Sequence, residues 1–165
     1  MVSIADAVAA ATEYLTAHPD EARYRDSAAT ARIAAGLSAD VAGPGGESIS
    51  TDMPAGIGGG ATAPSPGWLM RAAAASCVAS LIAIRAATVG VAHGPIEVTV
   101  DSESDDRGIL GLDDAVHAGA LSVKVVARID GVSDADLQGL VDWAIRHCPV
   151  TDTIVRAVPL HRETS

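Results

Sequence analysis

The two cysteines of this chain, Cys77 and Cys148, are the side chains best suited to chemistry. They lie far apart in sequence, which makes neither a disulfide scaffold nor a zinc site. A thiol is a nucleophile only as its thiolate, and a free pKa of about 8.5 has to be lowered by a cation or a helix N-terminus. Cys77 falls about three turns into a long apolar helix, where the macrodipole gives little help and apolar surroundings raise the pKa. Cys148 falls at the end of a helix, where the dipole disfavours a thiolate, although Arg146 and His147 adjoin it. That placement suits a resolving thiol better than an attacking one. For each cysteine alone the competing reading is a small buried hydrophobe, because free Cys is among the most buried residue types.

Other candidates carry less. His18, His93, His117, His147 and His161 show no metal-ligand spacing, and no metal or cofactor is expected. Asp113 and Asp114 are read as turn-forming or solvated, and Trp68 and Trp143 as packing residues. The run Gly56-Ile57-Gly58-Gly59-Gly60 has no Lys-Ser/Thr after it and matches no dinucleotide fingerprint, so it reads as a flexible loop.

Eleven Lys and Arg stand against 21 Asp and Glu, a formal charge of -10. That balance argues against nucleic acid and against an anionic membrane surface as partner. With no Phe, two Trp and two Tyr, stacking platforms for bases or sugars are not expected. The N-terminus has no basic segment followed by an apolar run, so no signal peptide is read there, and a cytoplasmic protein is expected.

The elements that must position the thiols are legible as patterns. Ser65 is a good N-cap, Pro66 fits the first helical position and Gly90 a left-handed stop, predicting one helix over 66–89. It is apolar on nearly every face and is expected to be buried all round. A membrane span is the rival reading, opposed by Arg71 and Arg85 inside the run and by its many alanines. One subunit of this size struggles to wrap such a helix, whereas a dimer could pack two together through small Ala and Ser side chains.

Around it, Ser3 with Asp6 caps a first helix that ends by His18-Pro19, and a charged linker follows. Alternation predicts strands over 29–35, 38–42 and 47–51, with a turn at 43–46. Two longer strands follow, one through Ile96, Val98 and Val100, the other through Leu121, Val123, Val125 and Ala127. Ser133 with Asp136 caps a helix that Pro149 stops, and 154–158 reads as a last strand. Neighbouring strands should pair antiparallel, so the class is α+β.

Four motifs, taken together, resemble the OsmC/Ohr family (osmotically induced protein C and organic hydroperoxide resistance protein). They are Pro64-Ser65-Pro66, Ala74-Ala75-Ser76-Cys77, Arg107-Gly108-Ile109-Leu110-Gly111-Leu112-Asp113, and His147-Cys148-Pro149-Val150 with Val158-Pro159. The resemblance covers about 29–159, which makes 29–165 the OsmC-like domain and 1–28 a helical extension and linker. It implies an intertwined homodimer with antiparallel sheets around long buried central helices. It also implies that Cys77 attacks an organic hydroperoxide and becomes a sulfenic acid. Cys148 then closes a disulfide, which a dithiol reductant reopens, and that closure protects against over-oxidation.

The chain departs from the family pattern at the group that activates the thiol. Gly67 stands where active members carry a Glu, and Gly36-Leu37-Ser38 where a Gly-Leu-Arg is expected. Arg32, Arg85 (about 80° round the helix from Cys77) and Arg71 (about 120°) are the candidate substitutes. Two functions therefore stand: a thiol-dependent hydroperoxide reductase, or an OsmC-like protein that binds a small apolar molecule with little turnover.

Overall fold

The computed structural model describes residues 2–163. In chain order its elements are α1 (Ile4–Ala17), β1 (Thr30–Arg32), β2 (Ala39–Ala42), β3 (Ser48–Thr51) and α2 (Pro66–Val89). There follow β4 (Ile96–Glu103), α3 (Asp106–Ile109), β5 (Ser122–Ile129), α4 (Asp134–His147) and α5 (Pro149–Val155). Short 3-10 turns occupy Pro19–Ala22, inside the stretch read as linker, and Ala55–Ile57. The class is α+β, as the sequence predicts. Two compact units are present, one holding residues 11–70 and the other everything from Arg71 onward together with the first turns of α1.

The smaller unit carries a three-stranded antiparallel sheet in the order β1-β2-β3. Its loop over 52–64 is the part that departs from expectation. The Asp52 carboxylate is buried and accepts from the backbone N–H groups of Met53, Gly60 and Thr62 and from the Thr62 hydroxyl. The Asp52 N–H donates to the Pro64 carbonyl at 3.2 Å, tying the ends of the loop together. A Cβ on Gly59 would meet the Met53 carbonyl oxygen at 1.8 Å, so only glycine fits that close approach. The glycine-rich run is therefore a tied loop rather than a flexible one, because one buried carboxylate supplies acceptors to donors ten residues away.

The larger unit is built from α2, the β4–β5 ribbon, α4 and α5. β4 and β5 pair over eight residues, from Ile96 against Ile129 to Glu103 against Ser122. Ile96, Val98, Val100, Val125, Ala127 and Ile129 face inward, while Glu97, Thr99 and Arg128 face solvent. This is the alternation expected of a sheet with one wet face. The core gathers Val78, Ile82 and Ala86 of α2 with Ile129, Leu140, Ala144 and Cys148.

The caps form as the sequence implies. The Ser65 hydroxyl oxygen accepts from the Trp68 N–H at 3.2 Å, and Gly90 adopts φ +73 at the stop of α2. In both Ser3–Asp6 and Ser133–Asp136 the serine oxygen accepts from the aspartate N–H while its hydroxyl donates to the aspartate carboxylate.

Two expectations are corrected. Within one chain α2 is not buried all round: full burial is confined to Ala74, Val78, Ile82 and Ala86, while Ala73, Ser76 and Ser80 are exposed. The buried positions recur every fourth residue, which is one stripe of a helix. By length and composition alone α2 is also long and apolar enough to cross a membrane. The second correction concerns 154–158, where no strand forms. Pro149 ends α4 but also opens α5, since a proline at the first helical position sacrifices no hydrogen bond.

Candidate functional site: a thiol pair between two helices

The structure brings Cys77 and Cys148 together. Both are free thiols; Cys148 is wholly buried and Cys77 partly accessible. Cys77 comes from the middle of α2 and packs on the same apolar cluster to which Cys148 belongs. The two thiols are close enough for each to shift the other's proton affinity.

Cys148 owes its position to a junction. It closes α4 and, with φ -77 and ψ 117, serves as the N-cap of α5. Its Sγ accepts from the Thr151 N–H at 3.4 Å. This reverses the expectation drawn from the α4 end alone, where the dipole would oppose a thiolate. The α5 backbone turns a donor onto the sulfur instead. Thr151 is itself buried, and its hydroxyl donates to the Ile145 carbonyl at 2.7 Å, with the Cys148 carbonyl at 3.1 Å as second acceptor. Thr151 was not singled out in the sequence; a threonine three residues after a cysteine that precedes a proline is the signal that marks it.

The electrostatics of the pair are asymmetric. Burial pushes the Cys77 thiol up, and sharing a proton with Cys148 pushes it further, against a smaller opposing effect from the Val150 N–H. Burial would raise Cys148 as well. Hydrogen bonds from the Cys77 thiol, Thr151 and Val150 outweigh it and bring Cys148 below an ordinary thiol. The two titrate as one system, so the protons they hold belong to the pair.

The candidate activating cations on α2 are engaged elsewhere. Arg71 donates through Nη1 to the Ser102 hydroxyl at 3.1 Å. Arg85 lies over the Trp143 ring, 5.2 Å from its centroid, and Trp143 stacks in turn on His147. Arg32 is exposed on β1, and Gly67 and Ser38 are exposed at the two positions of departure.

The remaining candidates fall into structural roles. Asp113 forms a turn, its carboxylate accepting from the Ala115 N–H at 3.0 Å. His147 contacts the Trp143 carbonyl through Nδ1 at 2.7 Å. No group of three or more His, Cys, Asp or Glu side chains gathers as a metal site among the described residues. A hollow of about 370 Å³ lies on the three-stranded sheet, bordered by Val41, Glu47 and Ile49, and contains no cysteine.

Comparison with known proteins agrees with this architecture. The OsmC-like protein family matches residues 58–162, well over half of the chain. No curated protein matches by sequence. Among solved structures, an organic hydroperoxide resistance protein OsmC from Legionella pneumophila superposes with TM-score 0.64 at 21% identity, covering 80% of this chain and 90% of its own. An organic hydroperoxide resistance protein from Elizabethkingia anophelis gives 0.65 at 21%, covering 79% and 88%. An OsmC-like protein of unknown function from Vibrio cholerae gives 0.66 at 11%, covering 79% and 94%. Such identities establish a shared fold, and the match over 58–162 places the chain in the OsmC-like protein family.

Proposed function

We propose that this protein reduces organic hydroperoxides with Cys77 and Cys148 as its redox pair. The observation that carries the reading is the meeting of two free thiols, one partly accessible and one buried, in an otherwise apolar core. Cys77, the accessible one, attacks the peroxide oxygen and becomes a sulfenic acid. Cys148 condenses with it, and a dithiol reductant restores both. Apolar walls from Leu81, Val141 and Val150 favour an organic hydroperoxide over hydrogen peroxide. Relatives of the same fold bear the name organic hydroperoxide resistance protein, which supports this substrate class.

The working form in this reading is a cytoplasmic homodimer, in which the exposed Ala73, Ser76 and Ser80 face of α2 meets a second copy. Residues 29–165 make up the OsmC-like domain and 1–28 an extension to it. A second reading, binding of a small apolar molecule without efficient turnover, is favoured by Gly67 at the usual Glu position and by the engagement of Arg71 and Arg85.

The deciding experiment is consumption of cumene hydroperoxide by the pure protein with a dithiol reductant. Turnover should vanish in Cys77→Ser, and Cys148→Ser should accumulate over-oxidised Cys77. Consumption no greater than that of the double variant would leave the binding reading in its place.

A further inference from the structure

We infer that Trp143 is a positioning residue for the redox pair, holding α2 and the last turn of α4 in the register that lets Cys148 close on Cys77. The inference rests on the redox-pair reading and adds to it a residue that acts through the two helices rather than on a sulfur.

Trp143 joins side chains of both helices. The Arg85 guanidinium of α2 lies over its ring, 5.2 Å from the centroid. The His147 ring stacks on it with centroids 4.3 Å apart and planes 17° from parallel. His147 Nδ1 also donates to the Trp143 carbonyl at 2.7 Å. The first contact ties α4 to α2, and the other two hold the last turn of α4 onto Trp143. His147 immediately precedes Cys148, so the ring that Trp143 grips adjoins the resolving thiol in the chain.

Spacing makes this second tie effective. Arg85 follows Cys77 by eight residues, about 12 Å along α2, and Trp143 precedes Cys148 by five, about 8 Å along α4. The stack and the thiol pair are therefore separate points of attachment between the same two helices. Fixing one limits rotation and sliding at the other.

The buried seam does this poorly by itself. It gathers Val78, Ile82 and Ala86 of α2 with Leu140 and Ala144 of α4. Burial of such side chains is non-directional, and methyl-sized alanines resist a shift along the axis only weakly. A cation over a ring, and two rings face to face, have a required geometry. A disulfide has one as well, with Cα atoms about 4.4–6.8 Å apart, so a shift of about 2 Å is enough to prevent closure.

Register decides between two fates of the Cys77 sulfenic acid. Condensation with the Cys148 thiol forms the S–S bond and releases the sulfenic oxygen as water. Reaction with a second hydroperoxide instead breaks its O–O bond, giving a sulfinic acid and an alcohol. A held Cys148 favours the first and a wandering one the second.

The test reads the register through the equilibrium of the pair, without hydroperoxide. The reduction potential of the Cys77–Cys148 disulfide is measured in buffers of reduced and oxidised dithiothreitol, for the native protein, Trp143→Leu, Trp143→Phe and Arg85→Met. Trp143→Leu keeps apolar bulk without a ring, and Arg85→Met keeps the stem without the charge. Both should make the disulfide about tenfold easier to reduce, a rise of about 30 mV for this two-electron couple. Trp143→Phe restores an aromatic face and should lie within about threefold of native. A residue that only adds stability would lower the unfolding free energy of the dithiol and disulfide forms alike and leave the potential in place. Val98→Ala, a core truncation on β4, is the reference for that case. Should Trp143→Leu fail to fold, Arg85→Met decides. A potential unchanged in either variant, or moved as far by Val98→Ala, overturns the inference, as does a native protein whose two thiols do not close. If the native disulfide forms and responds to Trp143 but hydroperoxide is not consumed, the peroxidase reading fails and the positioning role stands.

Discussion

Thr151 donates its backbone N–H to the Cys148 sulfur at 3.4 Å while its hydroxyl holds the Ile145 carbonyl at 2.7 Å. One buried residue thereby joins the last turn of α4 to the first turn of α5 and fixes the sulfur between them. The cysteine cannot swing away from Cys77 unless that junction opens. A short helix that does little for the core is thus explained by what it does for a thiol.

Replacing Thr151 separates its two roles. Thr151→Val keeps the shape and the N–H but leaves the partly buried Ile145 carbonyl without its hydroxyl donor. A loss of about 1–3 kcal/mol in chemical denaturation is expected. Thr151→Ser should recover most of it. Equal stability of the Val and Ser variants would remove the hydroxyl bond from this account.

Arg85 offers a contrast on the helix that carries Cys77. Its guanidinium sits over Trp143 at 5.2 Å, an arrangement worth about 0.5–1 kcal/mol at accessible sites. Arg85→Ala should lower stability by that order and leave the pH profile of Cys77 alkylation where it was. A profile displaced upward would show that Arg85 acts on the Cys77 thiol.

The two faces of α2 should answer differently to substitution. Ile82 is fully buried, and Ile82→Ala is expected to cost about 2–5 kcal/mol through lost burial and the cavity left behind. Ser80 is exposed in the single chain. If that face meets a second copy, sedimentation should report twice the 16.6 kDa chain mass for the native protein and a single chain for Ser80→Arg. A native monomer would remove the homodimer from the proposal.

Asp52 should make the loop over 52–64 acid-sensitive. The Thr62 N–H and hydroxyl, with the Met53 and Gly60 N–H groups, overcome its burial and hold the carboxyl below the ordinary carboxylate range. The folded pKa is depressed, so the carboxylate's stabilisation is complete above an unfolded value of about 3.9. It fades as pH falls through the lower native value. Amide exchange at Gly60 and Thr62 should remain protected at neutral pH and accelerate in acid. Asp52→Asn, which turns a donor toward donors, should expose the same amides at neutral pH. Unchanged protection in that variant would show that the loop is held otherwise.

Much of the architecture was written in local patterns. Ser65, Pro66 and Gly90 delimit α2 because capping and left-handed stops depend on residues within one turn. Ile96, Val98 and Val100 mark β4 because alternation is itself the geometry of a strand. The four motifs around Cys77 and Cys148 identified the family, since their order survives even where pairwise identity is low. The segment after Cys148 was misread for a physical reason. Pro149 serves equally as the end of one helix and the beginning of the next, and the β-branched Ile154 and Val155 favour a strand unless a cap decides otherwise.

By itself, then, the sequence determined the α+β class, the boundaries of the long helix and the identity of two thiols. Tertiary structure alone decided that those thiols meet, that Thr151 turns a donor onto Cys148, that Arg71 and Arg85 are engaged elsewhere, and that Asp52 ties a loop across ten residues. Local patterns record what a residue's own turn or strand requires. Proton sharing, stacking and a buried carboxylate's partners depend on distances between segments remote in the chain, and only folding sets those.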